Sequence, residues 1–299
     1  YVRCLIIIGY GAVFLLNIVG NPLVCLVVAK NKNMWNVTNF FIVNVALSDF
    51  FVGGICMPFT LVNNLKSGWV FGEVMCTILP MLMGMAIVGS VYTLVAIAID
   101  RYLAVMKPTD GKLNKKTMSV IIATIWGIAC AVMIPSAVQA QYKDHDGNPT
   151  CYETWSSLES KQAYTMSLFV ICYLVPLTAI TGLYLRAGFR LYKRSARRNR
   201  TAEQVSQLST KTQTANRPAN VRIFRMMVAV VALFASLHLP LWVATLLNDF
   251  ATPTKELGVV LYTYIYPVAH WLAFANSCVN PVLYAFLNRN FRQGFIKAF

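Results

Sequence analysis

Seven stretches of the chain stay apolar for much longer than a buried strand or a short core helix requires. Residues 5–29 carry no charged side chain, and residues 38–65 carry only Asp49. Residues 74–99, 117–142, 162–185, 226–248 and 257–288 contain no Asp, Glu, Lys or Arg. A helix needs about 20 apolar residues to cross a bilayer, whereas a barrel strand would show about 10 residues of alternating polarity. The pattern therefore predicts an all-α membrane protein, a seven-transmembrane helix bundle in a single domain over 1–299. The spans are expected at about 3–30, 37–65, 73–106, 116–140, 162–193, 220–249 and 257–285. Beyond them Leu287, Phe291, Phe295 and Phe299 recur every four residues, with Arg289, Arg292 and Lys297 falling elsewhere. That spacing predicts a short amphipathic C-terminal helix at about 288–298, lying on the membrane surface.

Composition sharpens this picture. The chain is 57% hydrophobic and 12% charged, against about 25% charged in soluble domains. Alternating the connecting loops sorts the 26 Lys and Arg into 21 on one side and five on the other, the five being Arg3, Lys66, Lys143, Lys161 and Lys255. The basic side is cytoplasmic by the positive-inside rule, which puts the N-terminus outside and the protein in the plasma membrane. Glu73, Asp144, Asp146, Glu153, Glu159, Asp249 and Glu256 gather on the outer side. The net charge of +15 is thus a signature of topology. It does not point to nucleic acid, because no basic patch is interleaved with stacking aromatics. The third inner loop, 191–219, is polar and basic, a composition that favours disorder or ragged helix ends. Of eight cysteines, Cys76 and Cys151 both face the oxidising side, so a disulfide between them is expected, worth ~2–4 kcal/mol.

Three features inside the spans carry chemistry. Asp49 is an acid in mid-membrane, where burying a carboxylate costs at least ~2.5–3.5 kcal/mol. Asn21, Ser90, Asn276, Ser277 and Asn280 lie at similar depth. An acid among amides and hydroxyls can hold a sodium ion or a proton; otherwise it is a structural hydrogen-bonded carboxylate. Pro22, Pro58, Pro176, Pro240, Pro267 and Pro281 interrupt helices and favour kinks. Asp100, Arg101 and Tyr102 close the third span. The arginine can pair with Asp100 in one state and reach another partner in a second, or simply anchor the helix end.

These pieces together resemble the rhodopsin-like G-protein-coupled receptors. The resemblance rests on Gly20-Asn21-Pro22, Leu47-Ser48-Asp49, Asp100-Arg101-Tyr102, Trp126, Pro176 with Tyr184, Phe234 with Pro240, and Asn280-Pro281-Val282-Leu283-Tyr284. It covers essentially the whole chain in order. The chain is similar, more narrowly, to receptors for amidated RFamide-type peptides of the neuropeptide FF and SIFamide groups. That likeness is carried by Val37-Thr38-Asn39-Phe40-Phe41-Ile42-Val43-Asn44, Cys56-Met57-Pro58, Gly68-Trp69 and His270-Trp271-Leu272-Ala273-Phe274.

The resemblance implies an extracellular peptide as ligand and a heterotrimeric G protein, and also arrestin, as partners on the inner side, with membrane lipid around the bundle. It implies that Asp249 pairs with an arginine of the ligand, with Glu153 as a second candidate. Thr60, Asn63, Met83, His270 and Trp271 would line the pocket. Asp100, Arg101, Tyr102, Tyr184, Phe234, His238, Pro240 and Tyr284 would form the activation switch. Apart from an allosteric sodium ion at Asp49, no cofactor is expected. Three positions depart from the family pattern: His238 stands where a Trp is usual, Met83 where a Gln is expected, and Asn63 where an Asp is expected. The inner end of the sixth span offers Asn220 and Arg222 and no acid, so no ionic latch to Arg101 is expected there.

Other classes fit poorly. A transporter would show inverted repeats, and none is visible. A light sensor would place a Lys in the seventh span, but none lies between Lys255 and Lys297. An amine receptor would have an acid at Met83. The motifs of an intramembrane enzyme are missing, so no catalytic residue is expected. Receptors of the neuropeptide Y, orexin or tachykinin type are the nearest alternatives.

Overall fold

The structure is a computed structural model, and it describes residues 2–66, 68–107, 113–145, 148–206, 217–251, 254–287 and 289–298. Seven helices are long and apolar enough to cross a membrane: α1 (Arg3–Lys30), α2 (Val37–Leu65), α3 (Gly72–Met106), α4 (Lys115–Gln139), α5 (Leu158–Lys193), α6 (Val228–Phe250) and α7 (Glu256–Phe286). The helical backbone of α5 continues to Ser206, and that of α6 starts at Arg217. Residues 207–216 of the third inner loop, for which ragged ends are expected, and Phe299 lie outside the described residues.

Local sequence sets the helix starts. Asn36, Asn114, Ser157 and Thr254 each accept a hydrogen bond, through the side chain, from the backbone N–H three residues on. Such caps satisfy donors that the first turn leaves unpaired. Three of the expected kinks are wide turns in which the chain bonds five residues back rather than four. They cover Phe51–Cys56, Val170–Leu174 and Leu261–Ile265, and each ends two residues before Pro58, Pro176 or Pro267. Proline lacks an N–H and its ring crowds the carbonyl four residues earlier, so an expanded turn just ahead of it relieves both problems.

The bundle has an apolar surface as well as an apolar core, with polar side chains set inside it. Leu5, Ile8, Leu15, Val120, Val138, Leu185, Leu239 and Val259 are exposed, whereas Asn17, Asn21, Asn44, Ser48, Asp49, Ser90, Thr93, Asn276, Ser277 and Asn280 are buried. In lipid the outer surface loses nothing by being apolar, while polar side chains must find partners among themselves. Asn44 shows how: its amide donates to Thr93 Oγ1 at 2.7 Å while its oxygen accepts from Trp126 Nε1 at 3.1 Å, tying α2 to α3 and α4.

One element is additional to the helices. Between α4 and α5 a hairpin forms from β1 (Ala140–His145) and β2 (Asn148–Glu153), antiparallel, with Tyr142 opposite Cys151. The Cys76–Cys151 disulfide fastens β2 to the start of α3. The Trp69 backbone N–H donates to Pro149 O at 2.6 Å, which fixes the α2–α3 loop beneath the hairpin. We call this the hairpin end of the bundle; Arg101 marks the opposite end. There α8 (Arg289–Ala298) follows α7. Phe291 is fully buried and stacks on Tyr284 at 5.4 Å, and Ile296 remains exposed, as an amphipathic helix requires. Gly294 lets α8 approach α1, since a Cβ there would lie 2.3 Å from Val27 Cγ1.

Candidate functional site

One cavity opens at the hairpin end of the bundle and a second lies within it. The wider, of about 650 Å³, is a vestibule lined by Arg3, Asn63, Lys66, Tyr262, Tyr266 and His270 among others. Beneath it a narrow cavity of about 20 Å³ is lined by Met83, His238, His270, Phe234, Asp49, Ser90, Asn276 and Ser277. That is room for a single water-sized guest. His270 borders both cavities and so forms the joint between them. Its Nδ1 is buried and has no hydrogen-bond partner.

The structure therefore brings together Asn63, Met83 and His270 of the expected pocket. Thr60 lines neither cavity and donates to Cys56 O, one turn back on its own helix, at 3.0 Å. Trp271 faces α1, where Gly9 leaves room for its indole, and it lines a separate apolar crevice of about 330 Å³ between α1 and α7. Glu153 sits at the end of β2, where it accepts from Ser136 Oγ at 2.5 Å and Trp155 Nε1 at 2.9 Å.

Asp249 is the unexpected case. A helix-end acid is ordinarily solvated, yet this one is only 4% exposed. Lys161 Nζ lies 2.7 Å from its Oδ1, Asn248 Nδ2 donates to the same oxygen at 3.0 Å, and Thr165 Oγ1 donates to Oδ2 at 2.7 Å. Gln162 Nε2 also donates to the Asp249 backbone carbonyl at 2.9 Å. One turn of α5 thus grips the last turn of α6. Asn248 leads on to the vestibule, because its Oδ1 accepts from the Tyr262 hydroxyl at 3.1 Å.

Deeper, Asp49 is 2% exposed and has only neutral donors. Asn280 Nδ2 donates to Oδ2 at 2.7 Å and Ser90 Oγ to Oδ1 at 3.1 Å. Asn21 Nδ2 donates instead to Ser277 O at 3.0 Å, bridging α1 to α7. Sequence reasoning missed Asn17, whose amide donates to the Asp49 backbone oxygen at 3.0 Å. The available signal was its place four residues before Asn21, on the same helix face. The side-chain oxygens of Asn17 and Asn21 are buried acceptors with no partner.

His238 is buried, its Nδ1–H donating to Phe234 O at 3.2 Å, and its ring packs on Phe234 at 4.5 Å. Phe234 adjoins Tyr173, and Phe169 and Trp242 complete an aromatic cluster between α5 and α6. Pro240 lies within α6 two residues beyond His238. At the opposite end Arg101 Nη2 lies 2.6 Å from Asp100 Oδ2, and the same carboxylate oxygen accepts from Thr38 Oγ1 at 2.6 Å. Arg101 also reaches the Thr38 hydroxyl. It is therefore held against its own helix and α2. Tyr184 and Tyr284 are buried nearby in one apolar cluster, and Tyr102 follows Arg101 on α3. The side chains of Asn220 and Arg222 lie outside the described residues.

A seven-helix bundle with a polar core, a vestibule at one end and a caged arginine at the other defines the class of seven-transmembrane receptors. The sequence pattern of the 7 transmembrane receptor (rhodopsin family) matches residues 20–284. The chain belongs to that family, and is a multi-pass plasma-membrane receptor, not an enzyme. It is 41% identical to the rat (Rattus norvegicus) neuropeptide FF receptor 2 over all of its own length and 73% of that protein. It is 38% identical to the rat neuropeptide FF receptor 1, again over its full length and 71% of the relative. The guinea pig (Cavia porcellus) neuropeptide Y receptor type 2 is 34% identical over the full chain and 77% of the relative.

Proposed function

We propose that this receptor senses an extracellular amidated neuropeptide of the RFamide type and passes the signal to heterotrimeric G proteins, with the hairpin end outside the cell. The observation that carries the ligand class is Asp249: a buried acid at the mouth of the bundle, linked through Asn248 and Tyr262 to the vestibule. A carboxylate so placed suits an arginine side chain, whose planar fork can bond both oxygens. The likeness to the neuropeptide FF receptors supports the same ligand. The amidated end enters the vestibule against Asn63 and His270, with Met83 below. Glu153 is a second, more exposed acid that an arginine could meet. Thr60 and Trp271 support the walls from behind.

Signalling follows from two packings of similar energy. The peptide favours the one it binds more tightly, and only that difference shifts the balance. In the active packing the inner part of α6 swings out, Arg101 leaves Asp100 and Thr38, and Tyr184 and Tyr284 rearrange around it. The cleft that opens takes the G protein and, later, arrestin. The exposed apolar belt and α8 contact membrane lipid.

Asp49 is assigned an allosteric sodium ion. A hard cation takes oxygen donors, and the Asp49 carboxylate, the Ser90 and Ser277 hydroxyls and the Asn276 side-chain amide line a cavity of water size, while Asn280 holds the carboxylate from behind through its N–H. The residues fit such an ion.

The deciding experiment is a calcium or cyclic-nucleotide assay in transfected cells against a panel of amidated peptides. A response to a peptide ending in Arg-Phe-amide is expected. A response confined to small amines or lipids would defeat the peptide reading.

A further inference from the structure

We propose that Lys161 is the receptor's own occupant of the arginine site, so that a ligand's guanidinium gains Asp249 only by displacing the Lys161 ammonium. This rests on the reading of Asp249 as the partner of a ligand arginine, and adds a residue that sets how strongly that arginine is selected.

The argument begins with where the two charges sit. Ser157 caps the start of α5, so Lys161 lies within its first turns, close to the partial positive charge of the helix N-terminus. Asp249 lies one residue before Phe250, the last residue of α6, close to the partial negative charge of a helix C-terminus. Each side chain is at the end of its helix that disfavours its own charge. Each is compensated by the other, across a gap of 2.7 Å.

The two partners are not equally fixed. The Asp249 side chain is 3% exposed and is held by Thr165 and Asn248, whereas the Lys161 side chain is 34% exposed. A lysine can swing its ammonium into water on a flexible stem, keeping much of its hydration. The carboxylate cannot leave. Displacement therefore moves the lysine and leaves the acid in place.

The exchange also has a direction. Lys161 engages one oxygen, Oδ1, as a point charge. A guanidinium can take Oδ1 together with Oδ2, where the present donor is only the Thr165 hydroxyl. An arginine outcompetes Lys161 by geometry, and a neutral side chain has nothing to offer the buried acid. Lys161 thus raises the threshold for entry and screens out ligands that lack a guanidinium. Its departure also removes one of the contacts by which α5 grips α6, leaving Gln162 and Thr165.

The test is binding of two labelled synthetic peptides to membranes bearing the full-length receptor. One ends in Arg-Phe-amide; the other carries citrulline, neutral and nearly isosteric, in place of the arginine. The receptors are wild type, Lys161→Gln, Lys161→Arg and Asp249→Asn, each normalised to surface-labelled protein. Removing the competing charge is expected to tighten the arginine peptide roughly three- to tenfold while leaving the citrulline peptide nearly unchanged. Lys161→Arg, which puts a bidentate competitor in place, is expected to weaken the arginine peptide. The Lys161→Gln gain should vanish in an Asp249→Asn background. Equal changes for both peptides, or weaker arginine-peptide binding in Lys161→Gln, would overturn the role of Lys161 alone. Unchanged arginine selectivity in Asp249→Asn, or no binding of either peptide to wild type, would instead remove the underlying ligand assignment.

Discussion

Asp49 and Asp249 are both buried carboxylates, at 2% and 4% exposure, yet their surroundings differ in kind. Asp49 is met by neutral donors from α3 and α7, Ser90 and Asn280. Asp249 is met by a lysine as well as by Thr165 and Asn248. A charge held only by neutral dipoles is incompletely compensated and invites a mobile cation or a proton. A charge with a tethered cation is already satisfied and binds a foreign cation only by exchange. The lower acid is thus suited to modulation by small ions, and the upper one to discrimination among large ligands.

The largest effect that would sharpen this contrast is expected for Asp249→Ala. Removing one member of a buried charge pair costs ~2–5 kcal/mol in binding, so the potency of a peptide ending in Arg-Phe-amide should fall by about thirtyfold at the least and by up to a few thousandfold. Sensitivity to sodium should persist in the same variant. Full potency in a dose–response assay would break the assignment.

Next comes the packing around the lower acid. A Cβ on Gly53 would lie 2.2 Å from Asn17 Cγ, on the side chain that bonds the Asp49 backbone. Gly53→Ala is expected to destabilise the detergent-solubilised receptor by ~1–3 kcal/mol through overpacking, read as a lowered melting temperature. Adding Asn17→Ala should restore part of the loss. A melting temperature unaffected by Gly53→Ala would show that α1 and α2 are not packed this tightly.

Asp49→Asn keeps the shape and removes the charge; its oxygen can still accept from Asn280, while its new N–H faces Ser90, whose hydroxyl must turn to accept. Agonist binding in the wild type should weaken when an organic cation is replaced by sodium, and in this variant that difference should disappear. A sodium effect that survives the substitution would place the ion elsewhere. The smallest effect is expected for Thr165→Val, which deletes one neutral donor to Asp249 at nearly constant volume. A net contribution of ~1 kcal/mol predicts roughly a fivefold change in arginine-peptide affinity.

Much of the architecture was legible beforehand because lipid imposes a simple rule. Each span had to be a long uncharged run, and mid-span amides and carboxylates had to turn inward, so Asn21, Asp49, Ser90 and Asn280 could be grouped by depth, whereas Ser167, Thr178 and Ser236 stay exposed by donating to a carbonyl one turn back on their own helix. The hairpin was missed, although Asp146-Gly147 between two short stretches is a hairpin signal in the sequence. The flanking stretches are short and polar, which weakens any strand pattern in them. Lys161 was visible as one of five bases on the sparse side, but nothing along the chain marked Asp249 as its partner, 88 residues away. Thr60 and Trp271 lie at the expected depth but point elsewhere.

By itself, then, the amino-acid order determined which segments are fit to cross the membrane and how deep along each helix a polar group lies. These depend on transfer from water to lipid and on a rise of 1.5 Å per residue. The tertiary structure decided which groups meet. Successive residues of a helix turn by about 100°, so rotating a neighbouring helix by one position exchanges one contact for another. Only the packed bundle could set Lys161 against Asp249 while leaving Asp49 with nothing but dipoles.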